Sequence, residues 1–171
     1  MAAQLKPAER RAWRAFLDAQ ASILRRLEAE LVAEEGMTLA EYDVLYQLGI
    51  AGDRRLRMTE LSERVRLSRS GLTRLVDRLV EAGLVIRGHC GSDRRGTFAV
   101  LTPSGITRVR QARPVHLRGV SKHFAERLSP AQLTAVANAL EALGQDMPKL
   151  RATKVNGSQS GKRERWCWGV R

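Results

Sequence analysis

A mainly α-helical fold carrying one small β-hairpin is predicted by three features of the 171-residue sequence. Apolar residues recur at three- and four-residue steps along most of the chain, the spacing of amphipathic helices. That spacing breaks once, near residues 84–102, where two short apolar runs flank a stretch rich in glycine and charge. Two compact helical segments joined by a tight turn lie directly before the break.

The first element runs from Pro7 to about Glu35. Trp13, Phe16, Leu17, Ile23, Leu24, Leu27, Leu31 and Val32 form one stripe, with charged residues opposite. Pro7 suits a first helical turn and Gly36 a stop. A lone helix of that length leaves its stripe wet, so it needs a partner. Thr38 with Glu41 three residues on is a capping-box pattern. It opens a helix over Leu39 to about Ile50, which stops at the turn Ala51-Gly52-Asp53. A short helix is expected from Thr59 to Val65. After the turn Arg66-Leu67-Ser68, a longer one runs from Arg69 to Ala82, with Leu72, Leu75, Val76 and Leu79 facing inward and Gly83 ending it.

Leu84–Arg87 and Thr97–Thr102 then read as strands, joined across Gly88–Gly96 as a hairpin with a long exposed loop. Pro103 follows at a helix-starting position. Ser104 to about Leu128 is expected to be helical, with a kink at Pro114 where one backbone hydrogen bond is lost. Ser129-Pro130 opens a last helix, with Leu133, Val136, Leu140 and Leu143 on one side, ending near Gly144–Pro148. The segment from about Thr153 has no periodicity and is expected to be disordered.

The net charge of +12 is local. Between Arg54 and Arg95 stand eleven arginines against five acidic residues, and residues 151–171 carry six basic residues against Glu164. Such an excess serves nucleic acid, an anionic membrane or an acidic partner. Cys90 and Cys167 are too few and too far apart for a disulfide framework or a zinc site. No stretch has the length of a signal-peptide core or a membrane span, so the expected compartment is the cytoplasm. The sequence offers no nucleophile–base pair, no phosphate-cradling glycine loop and no cofactor motif, which argues against an enzyme.

Two helices with a tight turn followed by a two-stranded hairpin describe a winged helix-turn-helix. In its second helix, Arg69, Ser70, Thr73, Arg74 and Asp77 lie off the apolar face, and Ser68 is the expected N-cap. Polar side chains at this end of a helix meet base edges and phosphates in a major groove. Arg94 and Arg95 sit among glycines in the hairpin loop, where a protruding guanidinium suits a narrow minor groove. A solvated amphipathic helix would show the same face, and it is the hairpin and the local charge that favour DNA. A winged helix that binds a protein partner is the competing reading of another class.

The segment TELSERVRLSRSGLTRLVDRLVEAGLVIR, followed by SDRRGTFAVLTPSG, closely resembles the MarR family of bacterial regulators. The resemblance covers about Ala8 to Leu150. It implies a homodimeric regulator, commonly a repressor, that reads a near-palindromic site in double-stranded DNA. The family's Asp-x-Arg wing motif falls on Asp93 and Arg95, with Arg95 entering the minor groove and Asp93 bracing nearby arginines. The recognition helix falls on Ser68 to Ala82. The implied division is a helical dimerisation region over 7–35 and 103–150 and a DNA-binding domain over 38–102; the basic tail over 151–171 departs from the family pattern and is read as disordered from its own sequence. Family members often bind aromatic effectors, for which Trp13, Tyr42, Tyr46, His116 and His123 are candidates. Each of these, taken singly, is explained as well by a core or interface role. Cys90, beside His89 and arginines, has the surroundings of a reactive thiol. The redox-sensing cysteines of similar proteins lie in the first helix, which has none here, so an incidental thiol is the simpler reading.

Overall fold

The computed structural model describes residues 4–90 and 93–145, excepting the side chains of residues 89, 90, 93–96, 144 and 145. Six α-helices and a three-stranded antiparallel sheet make up these residues. The order is α1 (Pro7–Glu35), α2 (Leu39–Ile50), β1 (Arg55–Arg57), α3 (Met58–Arg64), α4 (Arg69–Glu81), β2 (Val85–Cys90), β3 (Asp93–Leu101), α5 (Pro103–His123), a 3-10 turn (Ala125–Arg127) and α6 (Pro130–Gln145).

Helix ends follow their local chemistry. Gly36 closes α1 in the left-handed region (φ 58°), its N–H donating to the Val32 carbonyl. Thr38 caps α2 as expected. Its Oγ1 accepts from the Glu41 N–H at 3.2 Å, and the Glu41 carboxylate accepts from the Thr38 N–H at 2.9 Å. Glu28 of α1 adds a cross-helix cap, accepting from the Leu39 N–H at 2.6 Å. The entry of α2 is thereby tied to α1.

Four expectations are corrected. The sequence pattern missed β1, whose three residues pair with Phe98, Ala99 and Val100 of β3 and place β3 in the middle of the sheet. Three residues are too few to carry a readable alternation. The hairpin strands also reach further than propensity suggests: β2 continues to Cys90 and β3 begins at Asp93. Gly88 pairs with Phe98, and a bulge lies where the partner of His89 is Thr97 and that of Cys90 is Asp93. Cross-strand bonding overrides the poor strand propensity of glycine and aspartate. Helix α3 begins at Met58, one residue early, with no side-chain cap on Arg57. Helix α5 passes through Pro114 and stops at His123, five residues early. There Phe124 turns out of helical geometry (φ −128°). The Arg127 guanidinium then donates to the Lys122 carbonyl, and Ser121 to the Glu126 carboxylate.

One apolar core joins α2, α3, α4 and the inner face of the sheet to the C-terminal half of α1 and the first turns of α5. Leu31, Leu45, Leu48, Leu61, Leu72 and Val76 are fully enclosed. Each contributes about 1.5–3 kcal/mol by its removal from water. Gly105 lets α5 start against the strand root, because a Cβ there would lie 2.2 Å from the Leu84 carbonyl oxygen. Gly119 likewise brings α5 onto Leu27 and Glu30 of α1.

The periphery is different. Within α1 only Leu27 and Leu31 are buried, while Trp13, Phe16, Leu17 and Leu24 are 40–55% exposed. On α6, Leu140 is 43% and Leu143 71% exposed. Between these helices lies an apolar groove of about 640 Å³, lined by Phe16, Ile23, Phe124, Leu128, Val136 and Leu140 among others. No helix among the described residues is long and apolar enough to cross a membrane.

Candidate nucleic-acid interface

The helix-turn-helix is built by α3, a three-residue-scale turn and α4. Arg66 takes a left-handed conformation (φ 54°), and the Leu67 N–H donates back to the Ser62 carbonyl at 3.1 Å. Ser68 caps α4, its Oγ accepting from the Gly71 N–H at 3.1 Å. Gly71 leaves room for this cap, since a Cβ there would sit 3.0 Å from that oxygen. Leu72, Leu75, Val76 and Leu79 are buried on the inner face of α4. That burial fixes the rotation of the helix and leaves Ser68, Arg69, Ser70, Thr73 and Arg74 exposed together on its N-terminal outer face. Thr73 turns its hydroxyl back to the Arg69 carbonyl at 2.9 Å. The dipole of α4 adds partial positive charge at this same end.

The hairpin is fixed to the helix by an ion pair that the sequence did not announce. Arg87, on the inner face of β2, donates through Nε (3.2 Å) and Nη2 (2.6 Å) to one carboxylate oxygen of Asp77 on α4. Nη2 also lies 3.5 Å from the Thr73 carbonyl. Asp77 is therefore neutralised by the strand, ten residues on, while Arg78 makes only a loose contact with Glu41 at 3.9 Å. The available signal was period: Arg87 falls two residues after buried Val85, on the same face of β2, and Asp77 sits beside Thr73 on α4. At the strand root, Thr102 Oγ1 donates toward the Gly83 and Leu84 carbonyls (2.8 and 3.0 Å) and accepts from the Gly105 N–H (3.0 Å). Asp93, Arg94 and Arg95 are the first three residues of β3. Their side chains, and those of His89 and Cys90, lie outside the described residues, as does the whole of 151–171.

The sheet carries a second basic feature. Arg55 and Arg57 project from the outer face of β1, while Leu56 between them is buried. Their guanidinium carbons lie 5.4 and 5.0 Å from the centre of the Phe98 ring.

The aromatic residues separate into two groups. Tyr42 stacks on His116 (centroids 4.5 Å apart) and on Tyr46 (6.0 Å) where α2 meets α5. Burial pushes the Tyr42 hydroxyl up to about 12 and lowers His116 below the usual imidazole range, so both are neutral at pH 7. The Nδ1 atom of His116 is buried without a hydrogen-bond partner. Trp13 does not join them; it stacks on Phe16 (6.0 Å) on the exposed half of α1. His123 instead donates through Nε2 to the Glu30 carboxylate of α1, 2.8 Å away.

Residues 35–96, which span the helix-turn-helix and most of the hairpin, match the family model described as the MarR family. The crystal structure of AbsC, a MarR family transcriptional regulator from Streptomyces coelicolor, is 35% identical, with a TM-score of 0.77 over 84% of this chain and 97% of that one. The chain belongs to the MarR family. It is accordingly a transcriptional regulator and not an enzyme. Sco3205, a MarR family regulator from the same organism solved in complex with DNA, is 32% identical, with a TM-score of 0.80 over 87% of this chain and 94% of that one. The HTH-type transcriptional repressor YetL of Bacillus subtilis is 34% identical over 89 residues, 52% of this chain and 53% of its own length. Within this MarR-family fold, α3, α4 and the β2–β3 hairpin are the helix-turn-helix and wing that the sequence pattern led us to expect.

Proposed function

We propose that two copies of this chain pair through α1, α5 and α6 and repress transcription by gripping a near-palindromic operator in double-stranded DNA. The observation that carries this reading is the exposed set Ser68, Arg69, Ser70, Thr73 and Arg74, locked in rotation by the buried face of α4 and braced to the wing strand by Arg87–Asp77. In this reading those side chains enter a major groove, and Arg94 and Arg95, with Asp93 beside them, hold the adjacent minor groove. Residues 38–102 form the DNA-binding domain, and 7–35 with 103–150 form the dimerisation region. The exposed apolar side chains of α1 and α6 support that division, because a single copy leaves them in water. The two recognition helices then stand about 34 Å apart, one turn of B-form DNA. Repression is the role carried by the similar repressor YetL. A cytoplasmic setting goes with a genomic ligand, and no cofactor enters the mechanism.

Modulation by a small aromatic effector is part of the same proposal. Tyr42, Tyr46 and His116 supply stacking surfaces at the α2–α5 junction, and the unpartnered His116 Nδ1 supplies a polar handle. Trp13 belongs to that site only if the partner copy brings it there.

The deciding experiment is selection of bound duplexes from a random pool by the full-length protein. The expected result is an inverted repeat with half-site centres one helical turn apart. Recovery of no enriched sequence, with the protein folded, would overturn the reading. On the recovered operator, Arg74→Ala is expected to weaken binding by about 1–3 kcal/mol, roughly 5- to 150-fold, in a titration by fluorescence anisotropy. Its melting temperature should change little, because the side chain is exposed.

A further inference from the structure

Asp43 is a carboxyl that neither the recognition face nor the Tyr42–His116 stack uses. Among the described residues it has no hydrogen bond and no close ion pair, only a through-space attraction from Arg66, and burial favours its protonated form. Ionised at neutral pH, it costs the fold stability and returns no bond. A carboxyl kept half-desolvated at the wall of a cleft is the mark of a binding site.

The cleft is an open crevice of about 890 Å³ between α1, α2 and the end of α3. Its α1 wall carries Arg25, Glu28 and Val32 at steps of three and four, which is one helical face. Its α2 wall carries Leu39 and Asp43, one turn apart, and Val65 and Arg66 close the third side. A volume of this order suits a small organic molecule.

The charges around the crevice are of both signs. Arg64 is already satisfied by Glu60 at 2.7 Å. Arg25 donates through Nε to the Ala21 carbonyl, and its terminal nitrogens remain for a ligand. Arg66 is exposed, on a backbone held in the left-handed region at φ 54°. Glu28 accepts from the Leu39 N–H through one oxygen, at 2.6 Å, and Asp43 accepts from nothing. Two guanidinium groups and two carboxyls therefore surround apolar Val32, Leu39 and Val65. A simple anion meets the carboxyls as like charges, and a simple cation meets the arginines. A molecule that carries both charges and an apolar side chain complements the whole lining.

We propose that this crevice binds a free α-amino acid with a bulky apolar side chain, its ammonium on Asp43 and Glu28 and its carboxylate on Arg25 and Arg66. The site is separate from the Tyr42–His116 junction, which lies where α2 meets α5, and it stands independently of the DNA-binding reading. Arg66 belongs to the turn between α3 and α4, so the ligand touches the helix-turn-helix together with α1 and α2.

The test is calorimetry and saturation-transfer NMR on the full-length protein without DNA. The probes are leucine, its decarboxylated analogue isopentylamine, its deaminated analogue isocaproate, and glycine. Leucine is expected to bind with a Kd on the order of 100 µM at pH 7.5. Isopentylamine and isocaproate, each lacking one charge, should bind at least about tenfold more weakly, and glycine not measurably. Asp43→Asn should weaken leucine about tenfold without weakening isocaproate, and Arg66→Gln should weaken leucine without weakening isopentylamine. Wild-type affinity for leucine should fall about tenfold from pH 7.5 to 5, because Asp43 takes up its proton at about 6, and should stay flat in Asp43→Asn. Circular dichroism melts establish that both variants are folded. Absence of binding by leucine up to about 10 mM overturns the proposal. Isocaproate binding as tightly as leucine also overturns it, because the crevice is then a plain organic-acid site. Leucine binding untouched by both substitutions does the same, because the ligand then sits elsewhere.

Discussion

Asp43 sits on α2 facing α1, in a crevice of about 890 Å³ that is also lined by Arg25, Glu28, Arg64 and Arg66. Burial pushes its carboxyl up to about 6, against a partial opposing pull from Arg66. In the unfolded chain the same group ionises near 3.8. Below that value both states hold the proton and Asp43 has no effect on stability. Between about pH 4 and 6 the folded state binds more protons than the unfolded one, so stability falls as pH rises, and above 6 the full penalty remains. Asp43→Asn is therefore expected to stabilise the protein at pH 7.5, by up to about 3 kcal/mol. The gain should vanish near pH 3.5. Urea unfolding at the two pH values checks both the sign and the window. The residues that set the recognition face were legible at this scale because period alone decides which side of α4 is buried. The pairing of Asp77 with Arg87 was not, because it depends on how a strand crosses a helix.

At the scale of elements, the wing and α4 are coupled through that pair, and the coupling has a testable asymmetry. Arg87→Ala leaves the Asp77 carboxylate uncompensated on a face proposed to meet phosphate. Asp77→Ala/Arg87→Ala removes both charges. The double variant is expected to bind operator more tightly than Arg87→Ala alone, a non-additivity measured by a double-mutant cycle in anisotropy titrations. The junction of β2 and α5 is more rigid. Gly105→Ala forces a Cβ against the Leu84 carbonyl oxygen, which belongs to backbone and cannot swing aside. We expect a loss of at least about 1–3 kcal/mol in denaturant unfolding. Caps and periods made α1, α2, α4 and the start of α6 readable to within a residue. The early end of α5 was hidden because it follows from the Arg127–Lys122 and Ser121–Glu126 hydrogen bonds, which no periodicity encodes. β1 was hidden because its partner strand lies some forty residues away.

For the whole molecule, the exposed apolar faces of α1 and α6 set the expected assembly. A single copy keeps Trp13, Phe16, Leu24, Leu140 and Leu143 in contact with water. Leu140→Glu/Leu143→Glu should shift sedimentation from dimer toward monomer while the helix-turn-helix core stays folded. Operator affinity should fall steeply with it, because one half-site then binds alone. The sequence announced this need for a partner through the unsatisfied stripe of α1, but not which half of the helix is satisfied within one chain. That division is set by tertiary contacts: Glu35 pairs with Arg108, Glu34 with Arg118, and Glu30 with Lys122 and His123. All of these anchors fall on the last two turns of α1. The helix is accordingly a cantilever, clamped at its C-terminal end against α5 and α2, with some four turns projecting beyond the support. Any load applied to the projecting arm is delivered as torque at the clamp, where Glu28 holds the first turn of α2 and so the platform beneath the recognition helix.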